Sequence, residues 1–164
     1  MRTLYLLRHA KSSWEDESLG DFERPLNERG KKAAETIGQF LAKQNLQPEL
    51  ILSSPALRAR QTTEILLRTS KLQVELRFDV RIYEASPDTL LSILAEVDPK
   101  KSAVLMVGHN PGMEELLQFL SGEVKTMPTA ALAKLNSVAI DWKSLKANEE
   151  RLEWLVTPKG LKEN

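Results

Sequence analysis

The sequence predicts an α/β fold, a three-layer sandwich whose largely parallel central sheet carries helices on both faces. Two observations carry this expectation. Three apolar runs, at residues 4–7, 50–52 and 102–107, show no polar alternation, as expected of strands covered on both faces. Between them lie segments with apolar residues at helical spacing, so strand and helix alternate, which is the pattern of parallel strands joined by crossover helices. A chain of 164 residues is near the usual size of one domain, and residues 1–164 are expected to form a single one.

The first run, LYLL, leads straight into Arg8 and His9. Residues 14–27 follow as a charged stretch broken by Gly20 and Pro25, with neither a helical nor a strand period, and read as a long loop. Trp14, Phe22 and Leu26 are expected to pack beneath that loop. Asn27 suits a helix N-cap with Glu28 in the first turn, and Ala33, Ala34, Ile37, Phe40 and Leu41 form the apolar stripe of a helix running to about Lys43. Pro48 resets the chain before the strand at 50–52, which ends in Ser53, Ser54 and Pro55. A second helix turns Leu57, Thr62, Ile65 and Leu66 inward.

Residues 72–78 alternate weakly, as a short strand. Pro87 and Asp88 open a helix reaching about Val97. The run at 102–107 stops at GHNPG, and residues 113–120 make the next helix. Residues 122–128 read as a loop. Residues 131–141 and 152–157 read as two strands forming an antiparallel pair.

Composition narrows the function. Basic and acidic residues number 23 each, so any attraction for an anion has to be local, and neither nucleic acid nor an acidic membrane is an expected partner. With no cysteine the chain has no thiolate chemistry and no disulfide, which suits a reducing compartment. The first apolar run is short and lacks the small-residue site of a signal peptide, and no stretch approaches the roughly 20 apolar residues of a membrane span. The expected location is the cytoplasm.

Each apolar run ends in a polar group of residues: Arg8 and His9, then Ser53 and Ser54 leading to Arg58, then Gly108, His109 and Asn110. Parallel neighbouring strands bring their carboxyl ends to one edge, where ligands bind. Two imidazoles and two guanidiniums gathered there, with helix N-termini behind them, describe a site for a phosphoryl group. Taken alone, an Arg-His pair is also compatible with a capped strand end. Fixed guanidinium charge beside both histidines argues against a metal ion, and the chain has no GxxxxGK[ST] loop for a nucleotide.

LLRHAKS resembles the RHG signature of the histidine phosphatase superfamily, whose members include phosphoglycerate mutases. SSPALRARQTTE and VGHNPG resemble its second and third motifs. The short chain, RHAKSSW and DFERPLNERG are similar to the SixA-type phosphohistidine phosphatase branch. The resemblance implies a phosphoglycerate mutase-like fold and a metal-independent, cofactor-free phosphatase. His9 would be the nucleophile, with Arg8, Arg58 and His109 holding the phosphoryl oxygens. It implies Arg24 in the pocket as well, where the residues alone also allow a surface ion pair with Asp21 or Glu23.

Glu84 falls where relatives acting on alcohol phosphates carry a proton-donating carboxylate, and equally reads as an exposed turn residue. Ser12 and Asn110 are further candidates for substrate contact, Asn110 chiefly as a shaper of its turn. Lys11 reads as solvated or as rim charge, and Trp14 as core or as a substrate platform. Ala10 stands where the signature has glycine, and alanine disfavours φ > 0, so the departure bears on the shape of the turn more than on the chemistry. The implied substrate is a phosphorylated protein carrying phosphohistidine, with a small phosphate ester or a weakly active phospho-ligand binding module as rivals. The expected state is a monomer.

Overall fold

In a computed structural model, which describes residues 1–162, six strands form one sheet. The strands are β1 (Arg2–Arg8), β2 (Leu50–Ser53), β3 (Glu75–Phe78), β4 (Ala103–Gly108), β5 (Leu132–Ser137) and β6 (Arg151–Val156), in the order β3-β2-β4-β1-β5-β6. The first four lie parallel, and β5 runs antiparallel to both β1 and β6. The sheet is therefore mixed, and the α/β sandwich stands. No helix among the described residues is long and apolar enough to cross a membrane.

The central strands are buried on both faces, which is why β1, β2 and β4 read as continuous apolar runs, while the edge strands β3 and β6 keep exposed residues. On one face α3 (Pro87–Ala95) and α4 (Gly112–Ser121) pack Leu90, Leu94, Leu116 and Leu120 against Leu4, Leu6, Val104 and Met106. On the other, α1 (Glu28–Lys43) and α2 (Leu57–Ser70) pack Ala34, Ile37, Leu41 and Leu66 against Tyr5, Leu7, Leu105 and Val107. Alternate side chains of each strand thus feed separate cores, as the pleat requires. Asn27 caps α1 as expected, its Oδ1 accepting from Gly30 N at 2.8 Å.

Three expectations are corrected, and one element was not expected. A fifth helix, α5 (Pro158–Lys162), follows β6; it is too short to show a periodicity of its own. The strand expected at 72–78 begins only at Glu75, since Leu72 and Val74 pack as loop residues beside α1 and α2. The strand expected at 131–141 stops at Ser137, because the chain leaves the sheet there, leaving Val138 and Ile140 84% and 82% exposed. Leu57 is half-buried rather than inward, as the first residue of α2.

Candidate active site

The register of the sheet assembles the site. Arg8 lies opposite Gly108 and Ser53 opposite Val107, so the ends of β1, β4 and β2 are neighbours. Backbone bonds extend that register one residue past the strands: His9 N donates to Gly108 O and Ser54 N to Val107 O, both at 3.0 Å. Ala130 N donates to both Arg8 O and His9 O at 3.0 Å, which fixes the turn that carries His9. Ala10 is fully buried without a positive φ, donating its N–H to Thr62 Oγ1 at 3.0 Å, so this turn needs no glycine. Lys11, by contrast, leaves no room on the facing helix: a Cβ on Gly30 would sit 2.1 Å from Lys11 O.

His9 and His109 stand with ring centroids 5.0 Å apart and are 7% and 8% exposed. His9 Nδ1 lies 2.7 Å from Ala10 O, a carbonyl that can only accept, so Nδ1 carries the proton and Nε2 keeps its lone pair. Arg58 Nε donates to that Nε2 at 3.4 Å. Arg58 Nη2 likewise donates to His109 Nδ1 at 3.4 Å, which leaves the proton of His109 on Nε2, donated to Ser54 Oγ at 2.7 Å. Burial pulls the His9 pKa down to about 3 and that of His109 to about 4, with Arg58 and Arg8 opposing a positive imidazole in both cases. Both rings are neutral at pH 7.

Arg8 Nη1 donates to Met127 O at 3.0 Å, while its Nε is buried with no partner. An orphaned donor of this kind costs free energy unless a ligand meets it. Arg24 is buried, donating to Ser12 Oγ at 2.7 Å and to Asp21 Oδ1 at 3.1 Å, with its Cζ 3.5 Å from the centre of the Trp14 ring. Arg24 thus makes an ion pair with Asp21, from a buried position, and also lines the cavity. Trp14 is 73% exposed and lies at the cavity rim, which corrects the expected burial beneath the loop; only Leu26 is buried there, with Phe22 half-buried against Tyr83. Residues 14–18 are all exposed, and the indole lies over the Arg24 guanidinium instead of entering the core.

Arg8, His9, Lys11, Ser12, Trp14, Arg24, Arg58, His109, Asn110 and Thr129 enclose a cavity of about 350 Å³. Among the described residues no carboxylate lines it. Glu84 is exposed, at φ +56°, and lines an adjoining cavity of about 510 Å³ that shares Arg58, His109 and Asn110. Asn110 is committed to its turn: Nδ2 donates to Glu114 Oε2 and Met127 O, both at 2.9 Å, and Oδ1 accepts from Glu114 N at 3.3 Å. Among the described residues no group of three or more His, Asp or Glu is arranged to hold a metal ion.

The sequence model for branch 1 of the histidine phosphatase superfamily matches residues 4–87. The chain belongs to that superfamily. An uncharacterized chloroplastic protein of Arabidopsis thaliana is 33% identical over 174 residues, spanning 96% of this chain and 78% of the relative. A solved structure of a candidate phosphohistidine phosphatase SixA from Agrobacterium tumefaciens is 35% identical, with a TM-score of 0.83 over 96% of this chain and 98% of that one. A second candidate SixA, from Nakamurella multipartitia, is 26% identical with a TM-score of 0.84 over 96% of both chains.

This histidine phosphatase fold also places residues at the site that sequence reasoning did not. Asp21 Oδ2 accepts from Arg58 Nη2 at 2.9 Å and from Tyr83 OH at 2.5 Å, and its backbone O accepts from Arg58 Nη1 at 2.6 Å. The Tyr83 hydroxyl, with Arg58 and Arg24, holds the Asp21 carboxyl down at about 2, while burial and Asp21 push the Tyr83 phenol up to about 12. Asp21 was legible only as an ion-pair partner of Arg24, and nothing in RIYEAS marked Tyr83. Thr62 showed only as an inward helix residue. Its Oγ1 donates to Arg58 O at 2.7 Å and accepts from Ala10 N, tying α2 to the turn that carries His9.

Proposed function

We propose that the protein is a metal-independent phosphohistidine phosphatase working through phospho-His9. The observation that carries this is the His9 tautomer: with Nδ1–H held by Ala10 O, Nε2 presents its lone pair among Arg8, Arg58 and His109. His9 Nε2 forms a bond to phosphorus as the bond from phosphorus to the substrate breaks, and water then displaces His9, with both water protons leaving on the phosphate. Two displacements replace one difficult one. Arg8, through its unpartnered Nε–H, and Arg58 neutralise the phosphoryl oxygens in the transition state. His109 and Arg24 complete the cradle, Ser12 orients Arg24, and Asn110 holds the turn. Residues 1–164 act as one domain in this reading, and the absence of cysteine suits the cytoplasm.

The substrate assignment rests on proton supply. An alcohol leaves as an alkoxide and needs a proton, yet among the described residues no carboxylate lines the cavity, Glu84 stands outside it, and Asp21 is too acidic to donate. A phosphohistidine whose other ring nitrogen is protonated leaves as neutral imidazole and needs none. The test is metal-free turnover of a phosphohistidine peptide beside an aryl phosphate, with a denaturing alkaline quench to preserve phosphate on the enzyme. Expected are trapped phosphate, faster peptide turnover, and loss of both in His9→Asn. Trapping with the aryl phosphate alone moves the substrate to small esters, and neither trapping nor turnover leaves a phospho-ligand binding module.

A further inference from the structure

Beside the phosphoryl pocket lies a second cleft, of about 480 Å³, whose charged lining among the described residues is entirely basic: Lys11, Arg29, Lys32, Lys159 and Lys162. Its floor is apolar, formed by Ala33, Pro128 and Pro158. Lys11 and Thr129 line both spaces, so the cleft adjoins the pocket that holds His9. Elsewhere on the surface Lys31 pairs with Glu28, Arg81 with Asp79 and Glu96, and Lys134 with Glu153, while single lysines such as Lys43, Lys71 and Lys143 stand outside any ion pair among the described residues. What sets the cleft apart is that five cations line one space. Among the described residues none of the five cleft cations makes an ion pair. In a chain of zero formal charge this is a local surplus of positive potential leading to the phosphate.

We propose that this cleft docks an acidic segment of the phosphorylated protein, next to its phosphohistidine, and so selects the partner. The proposal rests on the phosphohistidine reading above. The character of the cations favours a protein surface over a small polyanion. All five are exposed, four of them are flexible lysines, and the cleft holds none of the buried, fixed guanidinium forks that the phosphoryl pocket uses. Solvated lysines beside an apolar floor suit a segment that brings carboxylates and a few apolar contacts together.

The test compares two synthetic phosphohistidine peptides, one flanked by Glu and one by Gln, on the wild type and on the double variant Lys32→Glu, Lys159→Glu. At low salt the wild type is expected to favour the Glu peptide by about tenfold in kcat/KM, the sum of a few exposed charge pairs. That preference should vanish in the double variant and near 1 M salt, where the Debye length falls to about 3 Å. Turnover of an aryl phosphate should stay unchanged in the variant, which also reports intact folding. If the variant loses aryl phosphate turnover, the milder pair Lys32→Gln, Lys159→Gln replaces it, with an intermediate loss of preference expected.

Equal wild-type turnover of the two peptides overturns the docking proposal and leaves the phosphatase reading intact. A preference that survives in the variants overturns the assignment to this cleft. Turnover of the aryl phosphate with neither peptide accepted overturns both readings. Selective acceleration of an aryl ester bearing a second phosphate, lost in the variant while the peptides are treated alike, gives the cleft to a small polyanion instead.

Discussion

Acidification should unfold this protein through the same two imidazoles that build the site. His9 and His109 have pKa values of about 3 and about 4 in the fold, against 6.5 in an unfolded chain. Between those limits the unfolded chain binds more protons, so stability is complete above about pH 6.5 and falls as pH drops. At about pH 4.5 each ring is roughly two pH units below its unfolded pKa and still above its folded one, a loss of roughly 2 to 3 kcal/mol per ring. Together they remove about 5 kcal/mol, comparable with the whole stability of an ordinary domain. The rings are 5.0 Å apart, so they titrate as a pair. Asp21, held at about 2, adds to the loss only below its ordinary range of 3.8.

The measurement is urea unfolding at about pH 7 and about pH 4.5 for the wild type, His9→Asn and His109→Asn. Each variant should lose roughly half of the wild-type difference between the two pH values, whatever its stability at pH 7. Variants that keep the full difference would refute the assignment of the acid sensitivity to buried neutral imidazoles.

Two further perturbations probe the frame of the site. Asp21→Asn removes the carboxylate that competes with a phosphoryl group for Arg58 and Arg24. Because that carboxylate is 45% exposed, the gain is about 1 kcal/mol, a fivefold to tenfold lower inhibition constant for inorganic phosphate, and an unchanged constant would remove Asp21 from the anion balance. Gly30→Ala places a methyl 2.1 Å from Lys11 O, a backbone atom that cannot swing away; thermal unfolding should show a loss of about 2 to 3 kcal/mol, and a neutral effect would mean that α1 shifts freely.

Much of this was legible in the chain because burial on both faces leaves a local record. A strand such as β4, covered by α3 and α4 on one side and α1 and α2 on the other, has no polar alternation, and the residue at which its apolar run stops is the residue at the sheet edge. Arg8, His9, Ser54 and His109 could be found that way, as could the Asn27 cap, whose side chain acts on its own helix. The end of β5 was misread for the complementary reason: Val138 and Ile140 are apolar but lie past the last ladder residue, and composition does not say where pairing stops.

What the sequence by itself determined, then, is the α/β layering and which strand ends carry reactive side chains, since apolar periodicity is dictated by contacts each segment makes along its whole length. Tertiary structure alone decided the protonation of the site and its closure. The lone pair on His9 Nε2 depends on Ala10 O, the neutral rings depend on burial beside Arg58, and the Asp21 clamp depends on Tyr83, 62 positions away. Such effects arise from single contacts between distant residues, and these leave no period in the chain.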